Sequence, residues 1–352
     1  MQVLKLKDIG ESGWVQRMRA RVSSIPGRAL VGIGDDAGWI RSPGSMLITC
    51  DLLIDEVHFL KELIPPRLLG RKSLAVNLSD IAGMAGVADY ALLGLGLPRD
   101  IELKYLDDFL EGFLEMANEH KVELIGGDSC AGSVLTISVS VLGHPFSERP
   151  VLRSTAEAGD EIWLTGTIGD AGLGFEILKK CQRQELEIAQ FHHSSLALRH
   201  FDPAPRLKVG ERLAGLAKAM IDLSDGLTVD LGHILEESSK EQPLQAIVEL
   251  EKIPLSEDFK KYYEGKPLES EEGFRIALSG GEDYELLFCA EQGSGGEIIK
   301  IGKELGLAVS KIGRIEPGEV PEIILLDEKG SQVPVPAVWF EHFPKEPQIP
   351  KG

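Results

Sequence analysis

Met220-Ile221-Asp222-Leu223-Ser224-Asp225-Gly226 is a short apolar run that leads into two carboxylates and a glycine, and a helix-like segment follows from Leu227. A strand and a helix joined by such a turn are typical of an α/β fold. Five other motifs along the chain also place acidic residues beside an apolar run or a glycine. They are Gly32-Ile-Gly34-Asp35-Asp36-Ala37, Ile48-Thr49-Cys50-Asp51, Asn77-Leu-Ser-Asp80, Gly126-Gly127-Asp128 and Ser279-Gly280-Gly281-Glu282-Asp283.

Carboxylates that converge in a folded chain repel one another unless cations lie between them. A pair about 4 Å apart costs on the order of 4 kcal/mol at an effective dielectric constant of about 20. Mg²⁺ is commonly held by a few carboxylates, by water and by the phosphates of a substrate. If the six motifs meet in space, they predict an enzyme that uses Mg²⁺ to act on phosphate groups.

The motif at residues 32–37 also matches the G-x-G-x-x-A part of a dinucleotide-binding fingerprint. Metal binding is favoured, because Asp35 and Asp36 stand where a pyrophosphate would approach bare backbone amides. A solvated acidic turn remains the alternative for this motif by itself. The sequence has neither a P-loop nor the protein-kinase motifs, so any phosphoryl transfer uses neither of those phosphate cradles.

The composition predicts a soluble protein of two domains. The chain has 352 residues, of which 43% are hydrophobic and 26% charged, and its formal net charge is -19. This charge argues against nucleic acid and anionic membranes as partners, and no apolar run approaches the length of a membrane span. The four cysteines are scattered without metal-site or disulfide spacing, so we expect a cytoplasmic protein.

Both halves of the chain alternate predicted strands and helices. In the first half we expect strands at 45–49, 90–97, 122–125 and 134–142, and helices at 66–86 and 102–120. The polar stretch from Pro145 to Arg153 is the expected boundary, which gives domains at 1–148 and 149–343 and a loose tail at 344–352. In the second half we expect strands at 161–164, 219–223, 275–278 and 285–290, helices at 173–181, 205–220 and 227–237, and irregular structure at 182–200.

Several of the motif residues also have ordinary structural explanations. Asp51, Asp80 and Asp128 each follow or interrupt an apolar stretch, as many helix N-caps do, although a shared site explains all three together better. Ser224 or Asp225 is a candidate N-cap for the helix that follows, and the same helix N-terminus is suited to binding phosphate.

Three further features have two interpretations each. Arg153 is either a phosphate clamp or a member of a surface ion pair. His58 either contacts a ligand or is structural. The cluster Trp339-Phe340-Glu341-His342-Phe343 either belongs to the core or stacks on an aromatic ligand.

The motifs as a set resemble those of the thiamine-monophosphate kinase family, a member of the superfamily of aminoimidazole ribonucleotide synthetase and selenophosphate synthetase. The similarity runs from about Gly10 to Phe343. The stretches that carry it are GIGDDA (32–37), TCD (49–51) followed by HF (58–59), AVNLSDIAG (75–83), LIGGD (124–128), TGTIGDAG (165–172), IDLSDGL (221–227), ALSGGEDYEL (277–286) and EHF (341–343).

The resemblance implies a two-domain, synthetase-like fold of the α/β (α+β) class, with an N-terminal domain that forms a dimeric β-barrel and a C-terminal α/β domain. It implies a homodimer that binds ATP and several Mg²⁺ ions in a cleft between the halves. The implied reaction is direct in-line phosphorylation of thiamine monophosphate to thiamine diphosphate, the last step of thiamine diphosphate biosynthesis.

Residue roles follow from the resemblance motif by motif. The implied metal ligands are Asp36, Thr49, Cys50, Asp51, Asp80, Asp128, Asp222 and Asp225. The implied ATP contacts are Gly127, Asp128, Arg153 and Ser224, and the implied catalytic set is Asp128, Arg153 and Asp222. The implied contacts to thiamine monophosphate are His58, Glu282 and Phe340.

Cys50 departs from the family, which commonly has threonine at this position. Mg²⁺ prefers oxygen to sulfur, so either the backbone carbonyl of Cys50 binds the metal or that metal is held more weakly. Two other functions remain open at this point. They are a different ATP-dependent synthetase or cyclase of the superfamily, and a catalytically silent protein that binds Mg²⁺ and nucleotide.

Overall fold

The computed structural model describes residues 4–22, 28–29, 40–41, 44–183 and 194–336. The α-helices are α1 Leu6–Val22, α2 Pro66–Gly83, α3 Leu103–His120, α4 Asp170–Gln182, α5 Ser195–Phe201, α6 Leu207–Leu213, α7 Leu227–Ser238, α8 Glu257–Tyr262, α9 Glu271–Ser279 and α10 Gly295–Glu304. The strands are β1 Leu47–Ile54, β2 Gly86–Leu97, β3 Glu123–Ala131, β4 Thr136–Pro145, β5 Glu161–Thr165, β6 Ala217–Asp222, β7 Leu244–Glu249, β8 Leu286–Ala290, β9 Val309–Pro317, β10 Glu322–Leu326 and β11 Gln332–Val333.

The strands form two sheets, and the described chain mixes helices and strands as the sequence predicts. The first has four strands in the order β1-β4-β2-β3, with β2 and β3 parallel and the other pairs antiparallel. The second has seven strands in the order β11-β10-β7-β9-β5-β8-β6, and only β7 and β10 are parallel. In the described ranges no helix combines the length and the apolar character that crossing a membrane requires.

Helix α2 fills the space between the first sheet and the second half of the chain. Pro66 stands at its first turn, where the missing N–H of proline is tolerated. Leu69, Leu74, Leu78 and Ile81 are almost completely buried, and even the polar residues of the helix are largely enclosed. A helix buried on nearly all sides holds its polar side chains in fixed positions, which is what a binding site needs.

The opposite face of the first sheet is open to solvent. Side chains alternate between faces along a strand, so Ile48, Cys50 and Leu52 of β1 point away from α2. Ile48 is 70% exposed and Leu52 is 49% exposed. The described residues of one chain form an open four-stranded sheet here, not a closed barrel.

Glycines allow the two halves of the chain to approach closely beside α2. A Cβ atom on Gly83, the last residue of α2, would lie 2.9 Å from the backbone nitrogen of Asp222 at the end of β6. A Cβ atom on Gly210 of α6 would lie 2.5 Å from the carbonyl oxygen of Ala82. The end of α2 therefore packs directly on the second half, next to the Asp222 motif.

Several boundaries differ from the sequence prediction, mostly in the second half. The predicted strand at 275–278 is wrong, because these residues belong to helix α9, whose N-cap Ser270 accepts a hydrogen bond from Gly273 N. The predicted helix at 205–220 is shorter, since α6 ends at Leu213 and β6 begins at Ala217. Part of the segment expected to be irregular, 182–200, forms helix α5. In the first half the strand predicted at 45–49 extends to Ile54, which places Asp51 inside the strand.

Candidate active site

A cleft of about 510 Å³ lies where β1, the end of α2 and the Asp222 motif meet. Six residues implied by the sequence line it: Thr49, Asp80, Arg153, Asp222, Ser224 and Asp225. The remaining lining residues are Ile48, Gly83, Met84, Leu152, Ser154, Met220, Ile221, Asp230, His233 and Glu237. The cleft therefore joins motifs from both halves of the chain.

Asp80 stands on α2 at the centre of this arrangement. Its carboxylate accepts a short hydrogen bond from the Thr49 hydroxyl on β1. The neighbouring Ser79 hydroxyl donates to Asp222 Oδ2 at 2.6 Å, and the Asp51 backbone nitrogen donates to Asn77 Oδ1 at 3.0 Å. Helix α2 thus positions carboxylates from β1 and β6 around its own Asp80. None of Asp51, Asp80 and Asp128 is a helix N-cap, so the capping explanation is wrong for all three.

The carboxylates of the cleft lie in a strongly negative, largely dehydrated setting. Burial, then the charges of Asp80 and Asp225, raise the pKa of Asp51 to about 7. The pKa of Asp222 is raised to about 8, mainly by burial and secondly by the charge of Asp80. Burial also raises the pKa of Asp80 itself. A cation among these groups would oppose every one of these shifts. Closely spaced oxygen donors are the chemistry that a hard divalent ion such as Mg²⁺ fits.

Asp225, Asp230 and His233 form a second group along the same wall. One ligand atom from each lies within 4.8 Å of the others, which is close enough to hold a metal ion. Asp230 Oδ2 also accepts hydrogen bonds from the backbone nitrogens of Asp225, at 3.2 Å, and Gly226, at 3.0 Å. Gly226 is the N-cap residue of α7 and no side chain caps that position, so the capping roles considered for Ser224 and Asp225 are wrong.

Arg153 reaches the rim of the cleft from the segment before β5. Its side chain is 49% exposed, and Nη2 lies 3.7 Å from Glu237 Oε1 on α7. This ion pair is weak and open to water, so the guanidinium is available for a polyanionic ligand. The structure is therefore compatible with both interpretations of Arg153, as a phosphate clamp and as a member of a surface ion pair.

The Ser279–Asp283 motif lies next to the cleft, and each of its acidic residues has its own partner. Glu282 Oε2 lies 2.8 Å from Lys72 Nζ and 2.8 Å from His200 Nδ1. Asp283 accepts a hydrogen bond from Gly169 N at 2.8 Å, at the beginning of α4. The Glu282 backbone nitrogen donates to Ser224 O at 2.8 Å, which joins this motif to the Asp222 motif.

Gly127 and Asp128 are distant from the cleft within one chain. Strand register places Asp51, Val139, Leu93 and Gly127 in one row across the four strands, so Asp51 and Gly127 are about 14 Å apart at about 4.8 Å per strand. Asp128 follows Gly127 and points to the exposed face of the sheet. A Cβ atom on Gly127 would lie 1.9 Å from Leu93 O, so packing against β2 is sufficient to require glycine there.

The other predicted residues differ in how far the structure describes them. His58 lies in the turn after β1, where Nδ1 accepts a hydrogen bond from Ile54 N at 3.1 Å. The Cys50 thiol is on the exposed face of the sheet, with Sγ 3.7 Å from Ser138 Oγ. Asp35, Asp36, Phe340 with its aromatic neighbours, and the tail 344–352 lie outside the described residues.

Some residues in the cleft and beside it were not identified from the sequence. Asp230 and His233 are spaced i and i+3 on α7 and follow the Asp225 motif directly, so helical spacing was a usable signal. Lys72 and His200 gave no such signal, because each meets Glu282 only through the tertiary fold.

Two family descriptions match this chain and together define its class. "AIR synthase related protein, N-terminal domain" matches residues 34–144, and "AIR synthase related protein, C-terminal domain" matches residues 157–325. These ranges contain most of both sheets and the Asp51, Asp80, Asp222 and Glu282 motifs.

Curated relatives and solved structures narrow the class further. Thiamine-monophosphate kinase of Escherichia coli (strain K12) is 36% identical over 309 residues, which are 87% of this chain and 90% of that protein. The crystal structure of thiamine-monophosphate kinase from Stenotrophomonas maltophilia K279a is 33% identical with a TM-score of 0.75, covering 88% of this chain and 94% of that chain. A structure of AaThiL complexed with AMPPCP and TMP is 30% identical with a TM-score of 0.67, and the match covers 95% of this chain and 97% of that chain. This chain belongs to the thiamine-monophosphate kinase family.

Proposed function

We propose that this protein transfers the γ-phosphoryl group of ATP to thiamine monophosphate, forming thiamine diphosphate and ADP. The observation that carries the proposal is the convergence of Thr49, Asp80 and Asp222 from both halves of the chain on one cleft, with Asp51 close enough to interact with Asp80 and Asp225. Curated relatives with the name thiamine-monophosphate kinase, and the AaThiL complex with AMPPCP and TMP, support the same substrates.

Mg²⁺ is the cation that we propose for the cleft, with several ions held at once. Bound there, it would neutralise charge on the phosphates of ATP and stabilise the transferring group. The proposed ligands are oxygen donors, with Cys50 acting through its backbone carbonyl. At or beside the cleft they are Thr49, Cys50, Asp51, Asp80, Asp222 and Asp225. Asp36 and Asp128 are proposed as further ligands from the resemblance alone, since Asp128 is distant from the cleft within one chain.

The residues of the chain then have positioning and electrostatic tasks and need supply no general base. The attacking atom is a phosphate oxygen of thiamine monophosphate, and a phosphate monoester has a second pKa of about 6, so it is mostly ionised near pH 7. Arg153 and Ser224 would contact ATP, while His58, Glu282 and Phe340 would hold the acceptor. Asp222 would fix the geometry of in-line transfer through the ion it binds, and Asp128, on the opposite face of the sheet, is proposed for the same task from the resemblance alone.

The acceptor can be tested by incubating the protein with Mg²⁺, ATP and one candidate acceptor at a time. We expect thiamine diphosphate from thiamine monophosphate, no product from free thiamine, and no product with EDTA. ATP consumption without thiamine diphosphate would favour another synthetase or cyclase of the superfamily. ATP binding without consumption would favour a silent nucleotide-binding protein.

Replacing Arg153 with Gln should raise the KM for ATP roughly tenfold, the effect of losing a charge-assisted hydrogen bond. The melting temperature should not change, because the side chain is half-exposed and its ion pair with Glu237 is weak. Steady-state kinetics with each substrate varied in turn measure this. Glu237→Gln is the matched control, and an equal rise in the KM for ATP in that variant would assign the effect to the ion pair instead.

A homodimer with a shared β-barrel is the assembly that we propose, through the exposed face of the first sheet. That face carries Ile48 and Leu52, whose large exposure is unusual for apolar side chains in an open sheet. A second copy would cover the face, and it would also enclose Asp128 and Cys50, which point to the same side.

Ile48→Glu should therefore convert the protein to a monomer, because a buried unpaired carboxylate at an apolar interface is unfavourable. Sedimentation equilibrium measures the mass directly. Val320→Glu is the control, since Val320 is 59% exposed in the second half of the chain. A wild-type monomer, or a dimer that tolerates Ile48→Glu, would contradict this assembly.

The remaining proposals concern organisation and location. We propose domains at 1–148 and 149–343, and the change from the first sheet to the second between β4 and β5 supports a boundary in that segment. We propose a cytoplasmic location on the basis of the scattered cysteines and the acidic composition.

A further inference from the structure

A buried group of three polar side chains joins the two halves of the chain beside the cleft. Lys72 of α2 is 0% exposed, His200 of α5 is 1% exposed, and the Glu282 side chain is 22% exposed. Lys72 Nζ donates to Glu282 Oε2 at 2.8 Å and to the His200 carbonyl oxygen at 2.9 Å. His200 Nδ1 lies 2.8 Å from the same Glu282 oxygen, and Phe175 stacks on the imidazole with ring centroids 4.7 Å apart.

The hydrogen-bonding roles in this group follow from the chemistry of its atoms. An ionised carboxylate only accepts, so we assign the hydrogen of a neutral His200 ring to Nδ1. The pKa of His200 is lowered, mainly by burial and secondly by the charge of the nearby Lys72. Burial alone would raise the pKa of Glu282, but Lys72 and His200 outweigh it and lower that pKa to about 2. Burial lowers the pKa of Lys72, and the charge of Glu282 opposes that effect. Because Lys72 Nζ donates to two oxygens, one of them a carboxylate oxygen, we assign the group as an ammonium, a carboxylate and a neutral imidazole.

Stability alone is a poor explanation of such a group. A buried ion pair is often no more stabilising than apolar residues of the same volume. The backbone at Glu282 is also unusual, with φ of 61° at Glu282 and 50° at Tyr284, a region that residues other than glycine seldom adopt. Such conformations cluster where the surrounding structure holds a functional group in place.

Glu282 lies beside the acidic cleft, because its backbone nitrogen donates at 2.8 Å to the carbonyl oxygen of Ser224, a residue that lines the cleft. The Tyr284 backbone nitrogen donates to Leu223 O at 2.8 Å, next to the Asp222 motif. Burial most of all, and then the charges of Glu282, Asp51 and Asp222, raise the pKa of Tyr284. Within the described part of the chain, the hydrogen bonds of the Glu282 side chain all end on Oε2. Because the side chain is partly exposed, Oε1 is the oxygen that remains for a ligand.

We propose that Lys72 and His200 are positioning residues that hold Glu282 as an oriented anion for the cationic, nitrogen-rich end of the acceptor. The ligand class is a flat heteroaromatic cation with an amino group, which the thiazolium and aminopyrimidine rings of thiamine monophosphate supply. The inference rests on the proposed function and adds two residues to its acceptor site. Neither residue needs to contact the reacting phosphates.

The first test is kinetic and compares the two substrates. Lys72→Met keeps the volume of the side chain and removes its charge, and it should raise the KM for thiamine monophosphate roughly tenfold to a hundredfold, as loss of a charge-assisted hydrogen bond does. The KM for ATP should stay within about twofold, because the nucleotide contacts lie elsewhere. Adding Glu282→Gln to Lys72→Met should have little further effect, since both changes act on one carboxylate.

A pair of His200 variants tests the hydrogen bond without removing the lysine. His200→Asn keeps an N–H donor near the Nδ1 position and should keep the KM for thiamine monophosphate within about threefold of wild type. His200→Phe keeps the stack on Phe175 but has no donor, and it should behave like Lys72→Met. Equal effects of the two His200 variants would overturn the proposed role of the imidazole.

Arg71→Gln is the matched control for the inference. Arg71 also joins α2 to the end of α5, through Nε 2.8 Å from Asp202 Oδ1, but it does not touch Glu282. It should leave the KM for thiamine monophosphate unchanged. Suppose that the wild type forms thiamine diphosphate. The inference is then overturned, and the proposed function stands, if Lys72→Met leaves the KM for thiamine monophosphate unchanged or raises the KM for ATP by the same factor. No thiamine diphosphate from the wild type would overturn the proposed function and the inference together.

Discussion

Replacing Asp80 with Asn should lower kcat on the order of 10²-fold to 10³-fold and at the same time raise the melting temperature of the metal-free protein. The two effects have one cause. Asp80 lies among Asp51 and Asp222, whose pKa values are raised by burial and then by its negative charge. Asparagine keeps an acceptor for the Thr49 hydroxyl but removes that charge, so it relieves repulsion and weakens cation binding together.

Thermal unfolding with and without Mg²⁺, alongside turnover, measures both effects. One kcal/mol corresponds to about 2–4 °C in a domain of 150–250 residues, so the increase in melting temperature should be a few degrees. Mg²⁺ should stabilise the wild type and have little effect on the variant. Asp100→Asn, at an exposed position before α3, is the control for charge alone. A variant with near-normal turnover at saturating Mg²⁺ would remove Asp80 from the metal site.

The metal-free protein should become less stable as the pH rises from about 5 to about 8, and Mg²⁺ should remove most of that loss. The folded pKa values of Asp51 and Asp222 are about 7 and about 8, well above the value of about 3.9 in an unfolded chain. Between those limits the folded state holds protons that the unfolded state has lost. Stability therefore falls by up to about 1.4 kcal/mol per pH unit for each such proton.

Urea unfolding midpoints at four pH values, in EDTA and in Mg²⁺, measure this linkage. A bound cation replaces the protons, so the curve in Mg²⁺ should be nearly flat over the same range. KCl at equal ionic strength is the control for general screening. Parallel curves in EDTA and Mg²⁺, or a metal-free protein that gains stability up to pH 8, would show that the carboxylates are compensated in some other way.

Much of the site was predictable because its residues come in short, local motifs. Asp51, Asp80, Asp222 and Asp225 each occur in an acidic motif beside an apolar run, and α/β packing brings such segments together. The helix at 102–120 was equally clear, since its apolar residues recur every three or four positions and the structure has it at Leu103–His120.

The rest depended on contacts that local sequence does not encode. Lys72 and Glu282 are 210 residues apart in the chain, and only the packing of α2 on the second half joins them. The face on which Asp128 lies is set by its register with β2, not by the Gly126-Gly127 pair. The run at 275–278 was too short to distinguish a strand from a buried helix, and the N-cap at Ser270 was the signal that decided it.

The fate of the γ-phosphate tests the central claim most directly. The protein would be incubated with Mg²⁺, thiamine monophosphate and ATP labelled in the γ-phosphate, and the products separated by chromatography. Direct transfer predicts that the label appears in thiamine diphosphate, in an amount equal to the ADP formed, and that Asp222→Asn abolishes it. Label found in inorganic phosphate while thiamine monophosphate stays unchanged would contradict the account.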